Sequence, residues 1–445
     1  MTRNRIDEFI NNPKKSLFKL AWPMLIGMLV QTLYNIVDTA FVGRLGAESI
    51  AALTFSFPIF FIFIAINSGI AIGMSSRIAR YLGGKNKEQA ENTAMHGLII
   101  SVLLSVIAVI LGVAFLDPIF SLFGAEGVVL VLAKEYMSIV LYGMLFMFLS
   151  FLINSIFSAQ GDTITPMKVQ VFALVLNIIL DPIFIYVLGY GVKGAAIATT
   201  ISFILGFIGF VYYLHKKSYL TIHPSSFTFS TRIIKEIFSI GIPGSMMMLL
   251  MSLYLMFINK FMAHFGIDYV AAFGITFRLE SVAIMPIVAF STAILTLVGM
   301  FHGAKRNDLL KEIIWYGIRI NVLFTAAIGA LFFIFPKLFL MLFTTDAALL
   351  QLGSAYLRIQ VLYFPLIAIT MMIARSMQGM GYGMPGLIVN LVRVIFVAIP
   401  LSYVFIFVLG YGYLSVVTAM VLGSLVSAVI GIVWLVYELK KEKVV

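Results

Sequence analysis

Twelve long apolar stretches constrain the fold of this sequence more than any other feature. Each spans about 20 residues or more, which is enough for one helix to cross a hydrocarbon layer about 30 Å thick. The chain is 62% hydrophobic and 11% charged, whereas a soluble domain is about half apolar and a quarter charged. We therefore predict an all-α integral membrane protein with twelve transmembrane helices. The predicted spans are residues 16–43, 48–76, 92–115, 133–158, 164–188, 193–215, 235–262, 270–299, 313–335, 350–378, 384–409 and 413–437.

The basic residues predict the orientation of these spans. Lys and Arg cluster before the first span, in alternate loops and after the last span. Under the positive-inside rule, those segments and both termini are cytoplasmic, and the chain is a multi-pass protein of the cell membrane. Its net charge of +11 then reflects contact with anionic lipid headgroups, and we expect membrane lipid rather than nucleic acid as a partner.

The two halves of the chain resemble each other when they are shifted by 220 residues. For example, Pro23, Tyr34 and Gly46 align with Pro243, Tyr254 and Gly266. This duplication predicts two pseudo-symmetric six-helix bundles in the same orientation, with the cargo path between them. The predicted parts are an N-lobe at 1–215, a cytoplasmic linker at 216–234 and a C-lobe at 235–445.

Two acidic residues lie within predicted spans of the N-lobe, Asp38 and Asp181. A carboxylate inside a membrane span costs roughly 2.5 to 3.5 kcal/mol, so its presence indicates function by default. Each acid belongs to a polar stripe with helical spacing on one face. The stripes are Gln31, Tyr34, Asn35 and Asp38 on the first span, and Asn177 and Asp181 on the fifth.

The two acids are also predicted to lie at similar depth. Asp38 follows Pro23, and Asp181 follows Pro166, by fifteen residues in each case, which is a rise of about 22 Å along a helix. Thr199, near the outer end of the sixth span, can reach this level, and Tyr136 of the fourth span is a further candidate. Pro23 removes a backbone hydrogen bond and is expected to kink the first helix.

Such a cluster of oxygen atoms suits a small coupling ion. Asp38, Asn177, Asp181 and Thr199 supply oxygen ligands for a hard cation such as sodium, and buried neighbouring carboxyl groups can instead take up a proton. We expect H+ or Na+ as the coupling ion, with these four residues as a metal site only if it is sodium, and no other cofactor. The alternative is that both acids are capped by neighbouring side chains and serve helix packing.

The C-lobe does not repeat these acids, since Ile258 replaces Asp38 at the 220 offset and Pro400 lies near the counterpart of Asp181. Ion coupling is therefore expected in the N-lobe alone. Basic and acidic side chains of the C-lobe spans, Glu280 and Arg393 among them, are interpreted mainly as snorkelling or paired structural charges. The spacing of Gly69 and Gly73 predicts a close helix contact.

Enzyme function is not expected from this sequence. There is no cysteine, and the five histidines lack metal-ligand spacing. Nucleotide-binding loops, His-Glu-x-x-His and Gly-x-Ser-x-Gly motifs are also missing from the sequence, which favours transport driven by an ion gradient. We expect a monomer.

The sequence resembles the multidrug and toxic compound extrusion (MATE) family along nearly its whole length. The matching passages are Pro23–Leu45, Ala159–Phe184 and Arg375–Pro385. The resemblance implies two six-helix bundles, alternating access and export of amphipathic, often cationic, drug-like small molecules. The sequence looks like the branch of this family that has an aspartate on the first helix and an Asn-x-x-x-Asp pair on the fifth. The matching positions here are Asp38, Asn177 and Asp181.

A related flippase for lipid-linked saccharides is the alternative function. An anionic lipid headgroup would favour Arg and Lys in the transport path. The N-lobe instead carries acids, although the basic residues of the C-lobe keep this alternative open.

Overall fold

The computed structural model describes residues 5–122, 124, 126–223 and 227–442, and every regular element in that part of the chain is helical. The first half contains α1 (Ile6–Asn11), α2 (Pro13–Gly43), α3 (Ala47–Gly83), α4 (Lys87–Leu122), α5 (Gly127–Ala159), α6 (Ile164–Pro182) and α7 (Gly191–Lys217). The second half contains α8 (Thr231–Phe265), α9 (Ile267–Gly303), α10 (Asn307–Ile334), α11 (Pro336–Leu340), α12 (Ala347–Gln360), α13 (Tyr363–Met380), α14 (Met384–Leu391), α15 (Ile399–Tyr403) and α16 (Leu414–Lys441). Three π-helical segments are Ile183–Val187, Val392–Ala398 and Val404–Val408.

The number of membrane-spanning helices agrees with the sequence prediction. Within the described residues, eleven helices are long and apolar enough to cross a membrane, and α12 with α13 forms a twelfth span that is bent by 45°. The bend follows from Pro365, because a proline cannot donate to the carbonyl four residues earlier, here that of Val361, and crowds it. The prediction of an all-α membrane protein with twelve spans is therefore confirmed, with α12 and α13 counted as one bent span.

The described chain forms two compact units. Unit 1 includes Trp22–Gly241, and unit 2 combines Ile6–Ala21 with Ile242–Val445. The first turns of α2 thus belong to unit 2, and the first turns of α8 belong to unit 1. Both changes of unit lie just before a proline, Pro23 or Pro243, and they are 220 residues apart, which is the offset of the sequence repeat.

The boundaries of these units differ from those of the N-lobe and C-lobe that the sequence repeat predicts. The predicted lobes, 1–215 and 235–445, and the predicted linker at 216–234 follow the repeat and remain a prediction. By packing, residues 6–21 group with the second half, and residues 235–241 group with the first. The physical reason is that a repeat defines which segments are equivalent, while tertiary contacts decide which segments pack together.

The first turns of α8 pack closely on α3 within unit 1. A Cβ atom built on Gly73 would lie 2.1 Å from the carbonyl oxygen of Ile237, and one built on Gly241 would lie 2.6 Å from that of Gly69. Small residues therefore let the two backbones approach, as the spacing of Gly69 and Gly73 predicts. Next to this contact, the buried Arg77 forms an ion pair with Glu236.

We expect Gly73→Ala to destabilise the protein, because the new methyl group meets backbone atoms that cannot move aside. Overpacking of this kind costs about 1–3 kcal/mol, so the midpoint of thermal unfolding in detergent should fall. Gly274→Ala is the matched control, since a Cβ atom at that helical position meets nothing within 4 Å and alanine favours helix. Equal midpoints for the two variants would contradict the close contact.

Candidate functional site

Four helices of unit 1 bring polar side chains together in an otherwise apolar interior. α2 contributes Asp38, α5 contributes Tyr136, α6 contributes Asn177 and Asp181, and α7 contributes Thr199. All five side chains are buried, with exposed fractions between 0% and 8%. Tyr136 interacts with Asp38, Asp181 and Thr199, and Asn177 is bonded to Asp181. Residues that the sequence separates by up to 161 positions thus form one cluster, which we call the acid cluster.

The Asn177–Asp181 pair is formed within α6. The two residues are one helical turn apart, so their side chains lie on the same face. The amide nitrogen Nδ2 of Asn177 donates a hydrogen bond of 3.1 Å to Oδ1 of Asp181. The other oxygen atoms of this pair, Oδ1 of Asn177 and Oδ2 of Asp181, are buried without a hydrogen-bond partner. One hydrogen bond thus holds the two side chains together, and each side chain keeps one oxygen atom that can accept a further hydrogen bond or bind a cation.

Asp38 supplies the second carboxylate of the acid cluster. Its Oδ1 atom is buried and has no hydrogen-bond partner, and the carboxylate is close enough to Asp181 for their charges to interact. Among the residues that the structure describes, neither acid forms an ion pair with a basic side chain. Two neighbouring buried carboxylates repel each other when both are ionised. The arrangement therefore favours the binding of a positive charge between or upon them.

Hydroxyl groups surround the two carboxylates. The hydroxyls of Tyr34 and Tyr136 approach that of Thr199, and the ring of Tyr34 stacks on Phe203 with a centroid distance of 6.4 Å. Ser202, one turn after Thr199 on α7, also lies beside Tyr34. Sequence reasoning missed Ser202, although its spacing of three residues from Thr199 places both on one helical face.

Six oxygen atoms of this region are buried without a hydrogen-bond partner. Such atoms cost about 1–3 kcal/mol each and are rare in folded proteins, so their concentration at one place indicates a binding function. Two are carboxylate oxygens, one is an amide oxygen and three are hydroxyl oxygens, which is a donor set that fits a hard monovalent cation or a proton. The six atoms are Tyr34 Oη, Asp38 Oδ1, Asn177 Oδ1, Asp181 Oδ2, Thr199 Oγ1 and Ser202 Oγ.

The remaining predicted residues lie outside this set of atoms. Gln31 and Asn35 are exposed on α2, and the backbone carbonyl of Asn35 accepts a hydrogen bond from Thr39. They occupy the edge of the stripe whose centre is Tyr34 and Asp38. Pro23 is buried, and α2 continues as a helix through it, so its predicted role as a kink remains a prediction.

The fold and the sequence relatives of this chain both indicate a membrane transporter with twelve spans. The MatE family model matches residues 23–183 and 243–404, one match in each half. The probable multidrug resistance protein YoeA of Bacillus subtilis is 29% identical over 395 residues, which cover 86% of this chain and 84% of that protein. The multidrug export protein MepA of Staphylococcus aureus is 28% identical over 374 residues, which cover 83% and 82%.

A solved structure supports the same assignment. The structure of a MOP superfamily transporter from Pyrococcus furiosus superposes with a TM-score of 0.94 at 33% sequence identity, and the match covers 100% of this chain and 99% of that one. The chain belongs to the MatE family, the multidrug and toxic compound extrusion transporters. It is a transporter and not an enzyme.

We expect Thr199→Val to lower the affinity of the acid cluster for its ion, while the shape of the side chain stays the same. Valine replaces the hydroxyl by a methyl group, and one neutral hydrogen bond contributes about 0.5–1.5 kcal/mol. H+ and Na+ are the coupling ions expected from the sequence, and the concentration of the ion that gives half-maximal transport should therefore rise about two- to tenfold, measured in proteoliposomes.

Thr200→Val is the matched control for this prediction. The hydroxyl of Thr200 donates to the backbone carbonyl of Ile139 at 3.3 Å, and that bond lies outside the acid cluster. The control should keep the ion dependence of the unmodified protein. An equal effect of both variants would argue against a specific role for Thr199.

Proposed function

We propose that the protein exports amphipathic, often cationic, small molecules in exchange for protons or sodium ions. The observation that carries this proposal is the pair of buried acids, Asp38 and Asp181, which lack basic partners among the described residues. The names of YoeA and MepA refer to multidrug resistance and multidrug export. An acid cluster inside such a transporter supports a role in ion coupling.

The physical basis of coupling is the cost of burying negative charge. When Asp38 and Asp181 are both ionised, the cluster carries two charges that repel each other in a poorly solvated interior. A bound proton or sodium ion reduces this charge and therefore favours whichever conformation buries the acids most fully. A conformation that exposes them is favoured when the ion leaves. The ion gradient can thus bias alternation between two states, because the ion has different affinities for them.

The four residues have distinct roles in this proposal. Asp38 and Asp181 carry the charge that the ion neutralises, Asn177 holds Asp181 through its Nδ2 atom, and Thr199 contributes an oxygen ligand. For a proton, one carboxyl group suffices and the hydroxyls act as hydrogen-bond partners. For sodium, the oxygen atoms of all four side chains serve as ligands. The proposal includes both ions, and separately imposed gradients distinguish them.

The proposed orientation places both termini in the cytoplasm and the chain in the cell membrane. It follows from the Lys and Arg residues that precede the first span and follow the last, under the positive-inside rule. Export of cargo then requires ions to enter from outside. Membrane lipid is the surrounding solvent, and we propose a monomer as the functional form.

We expect Asp38→Asn and Asp181→Asn each to abolish coupled export of a cationic dye such as ethidium. Asparagine keeps the size of the side chain but cannot carry the charge that the ion neutralises. Transport is measured in proteoliposomes under a proton gradient alone and a sodium gradient alone, and thermal unfolding in detergent checks that each variant is folded. The gradient that drives the unmodified protein identifies the coupling ion.

Asp268→Asn is the control for the loss of one acidic charge. Asp268 is exposed at the start of α9, so this variant should export ethidium at the normal rate. If Asp38→Asn and Asp181→Asn also transport at the normal rate under both gradients, the acid cluster is not the coupling site.

A further inference from the structure

Unit 2 contains a buried polar cluster of its own, with charges of both signs. Glu280 lies on α9, Gln360 at the end of α12, Tyr363 at the start of α13, and Arg393 in the π-helical segment Val392–Ala398. Their exposed fractions are 2%, 0%, 1% and 7%. The sequence alone suggested that such charges snorkel or form structural pairs. The structure shows a different arrangement, which we call the arginine cluster.

The two charges of the arginine cluster are held by neutral groups. Gln360 donates from Nε2 to a carboxylate oxygen of Glu280 at 2.5 Å. Arg393 donates from Nη1 to the hydroxyl oxygen of Tyr363 at 3.2 Å, and its guanidinium lies 5.9 Å from the centre of that ring. Glu280 and Arg393 are near enough for their charges to interact, but within the described part of the chain they form no direct ion pair.

Arg393 is therefore a buried cation with unused binding capacity. A guanidinium stays charged at any physiological pH and offers five N–H donors, whose planar geometry matches carboxylate and phosphate groups. Its single hydrogen bond to Tyr363 uses one of them. A basic side chain inside a membrane protein without a direct counter-charge is costly and indicates a ligand or transport pathway by default. Arg393 is buried with an exposed fraction of 7%.

The backbone around Arg393 differs from the corresponding segment in the first half of the sequence repeat. Pro166 aligns with Pro385 at an offset of 219 residues, whereas Gly189 aligns with Gly410 at an offset of 221. The second half thus has two additional residues between these points. The π-helical segment Val392–Ala398 lies within that stretch, and the first half has a regular helix, α6, over the corresponding residues. Inserted π-helical turns occur frequently at functional sites, and this one carries Arg393.

A second unpartnered group lies in the same cluster. The Oε1 atom of Gln360 is buried and accepts no hydrogen bond, while its Nε2 atom is bound to Glu280. Gln360 therefore holds the carboxylate of Glu280 through one amide donor. The carboxylate is engaged by this neutral donor and forms no direct ion pair with Arg393 within the described residues, so the guanidinium keeps donors available to another anion.

We propose that Arg393 is an anion-recognition site in unit 2, which binds the carboxylate or phosphate group of an amphipathic ligand. Tyr363 positions the guanidinium, and Glu280 is the resident negative charge with which the ligand competes. The site is separate from the acid cluster in unit 1, so the transporter handles anionic cargo through a different residue from those that serve ion coupling. This inference rests on the proposed transport function and adds a second class of cargo to it.

The test compares an anionic and a cationic dye in the same proteoliposomes, made of neutral lipid. Arg393→Gln should reduce export of carboxyfluorescein about tenfold or more, as expected for the loss of a charge-assisted hydrogen bond, and leave ethidium export at its normal rate. Arg393→Lys should be intermediate, because it keeps the charge without the planar donor pair. Glu280→Gln should lower the concentration of carboxyfluorescein for half-maximal export, because it removes the competing charge.

Arg358→Gln is the matched control, since it removes the same charge from an exposed position of α12. It should transport both dyes normally. Tyr363→Phe is a second variant that keeps every charge, and it should weaken carboxyfluorescein export about two- to tenfold. If Arg393→Gln does not fold, the effects of Tyr363→Phe and Glu280→Gln on carboxyfluorescein still test the site.

A second assay, with a fluorescent lipid, distinguishes a dissolved anionic cargo from an anionic lipid headgroup. The same variants are assayed for transbilayer movement of a fluorescent phosphatidylglycerol. Loss of carboxyfluorescein export in Arg393→Gln identifies a dissolved cargo, and loss of lipid movement alone identifies a lipid headgroup. The inference is overturned if neither process depends on Arg393, or if ethidium export falls in parallel. If the unmodified protein does not export ethidium under either ion gradient, the proposed function itself is rejected.

Discussion

The cost of placing two carboxylates inside an apolar helical bundle governs the functional part of this structure. Asp38 and Asp181 are buried and close to each other, and a buried charge needs a counter-charge, a proton or hydrogen bonds. Asn177 satisfies one oxygen atom of Asp181, while other oxygen atoms of the acids have no partner. The acids thus form an unfavourable local arrangement, and in the proposed function a small cation relieves it, which provides the difference in free energy that an ion gradient acts upon.

The internal repeat shows how one scaffold carries opposite charges. The position of Asp38 is occupied in the second half by Ile258, which is fully buried among apolar residues such as Phe261 and Val394. The buried charged groups of unit 2 include Glu280 and Arg393, which are held by neutral partners. Duplication supplied two similar bundles, and the pattern of buried charge then differed between them. Each cluster lies within its own unit, and the proposals assign to them ligands of opposite charge.

Much of the fold and part of the site follow from sequence patterns. Apolar length predicts the spans, and helical spacing predicts that Asn177 and Asp181 share a face. Matched distances from Pro23 and Pro166 led to the expectation of similar depth. Other features depend on tertiary packing, which spacing does not report. Helical periodicity defines the stripe of Gln31, Tyr34, Asn35 and Asp38, but not which edge of it is buried. Likewise, the bond between Glu280 and Gln360 joins residues 80 positions apart, and no local pattern relates them.

The helix that carries Asp38 is one of two helices that the units share. Residues 13–21 of α2 belong to unit 2, and the rest of α2 belongs to unit 1. Pro23 stands just after this change of unit, at a point where the backbone ladder lacks one donor, and the bend predicted there remains a prediction. In the proposed coupling, a change of charge at Asp38 acts on this helix, which belongs to both units. α8 repeats this arrangement at Pro243, but Ile258 stands at the position that corresponds to Asp38. The repeat thus supplies two such helices, and in the proposed coupling the carboxylate of Asp38 is what makes α2 respond to the ion.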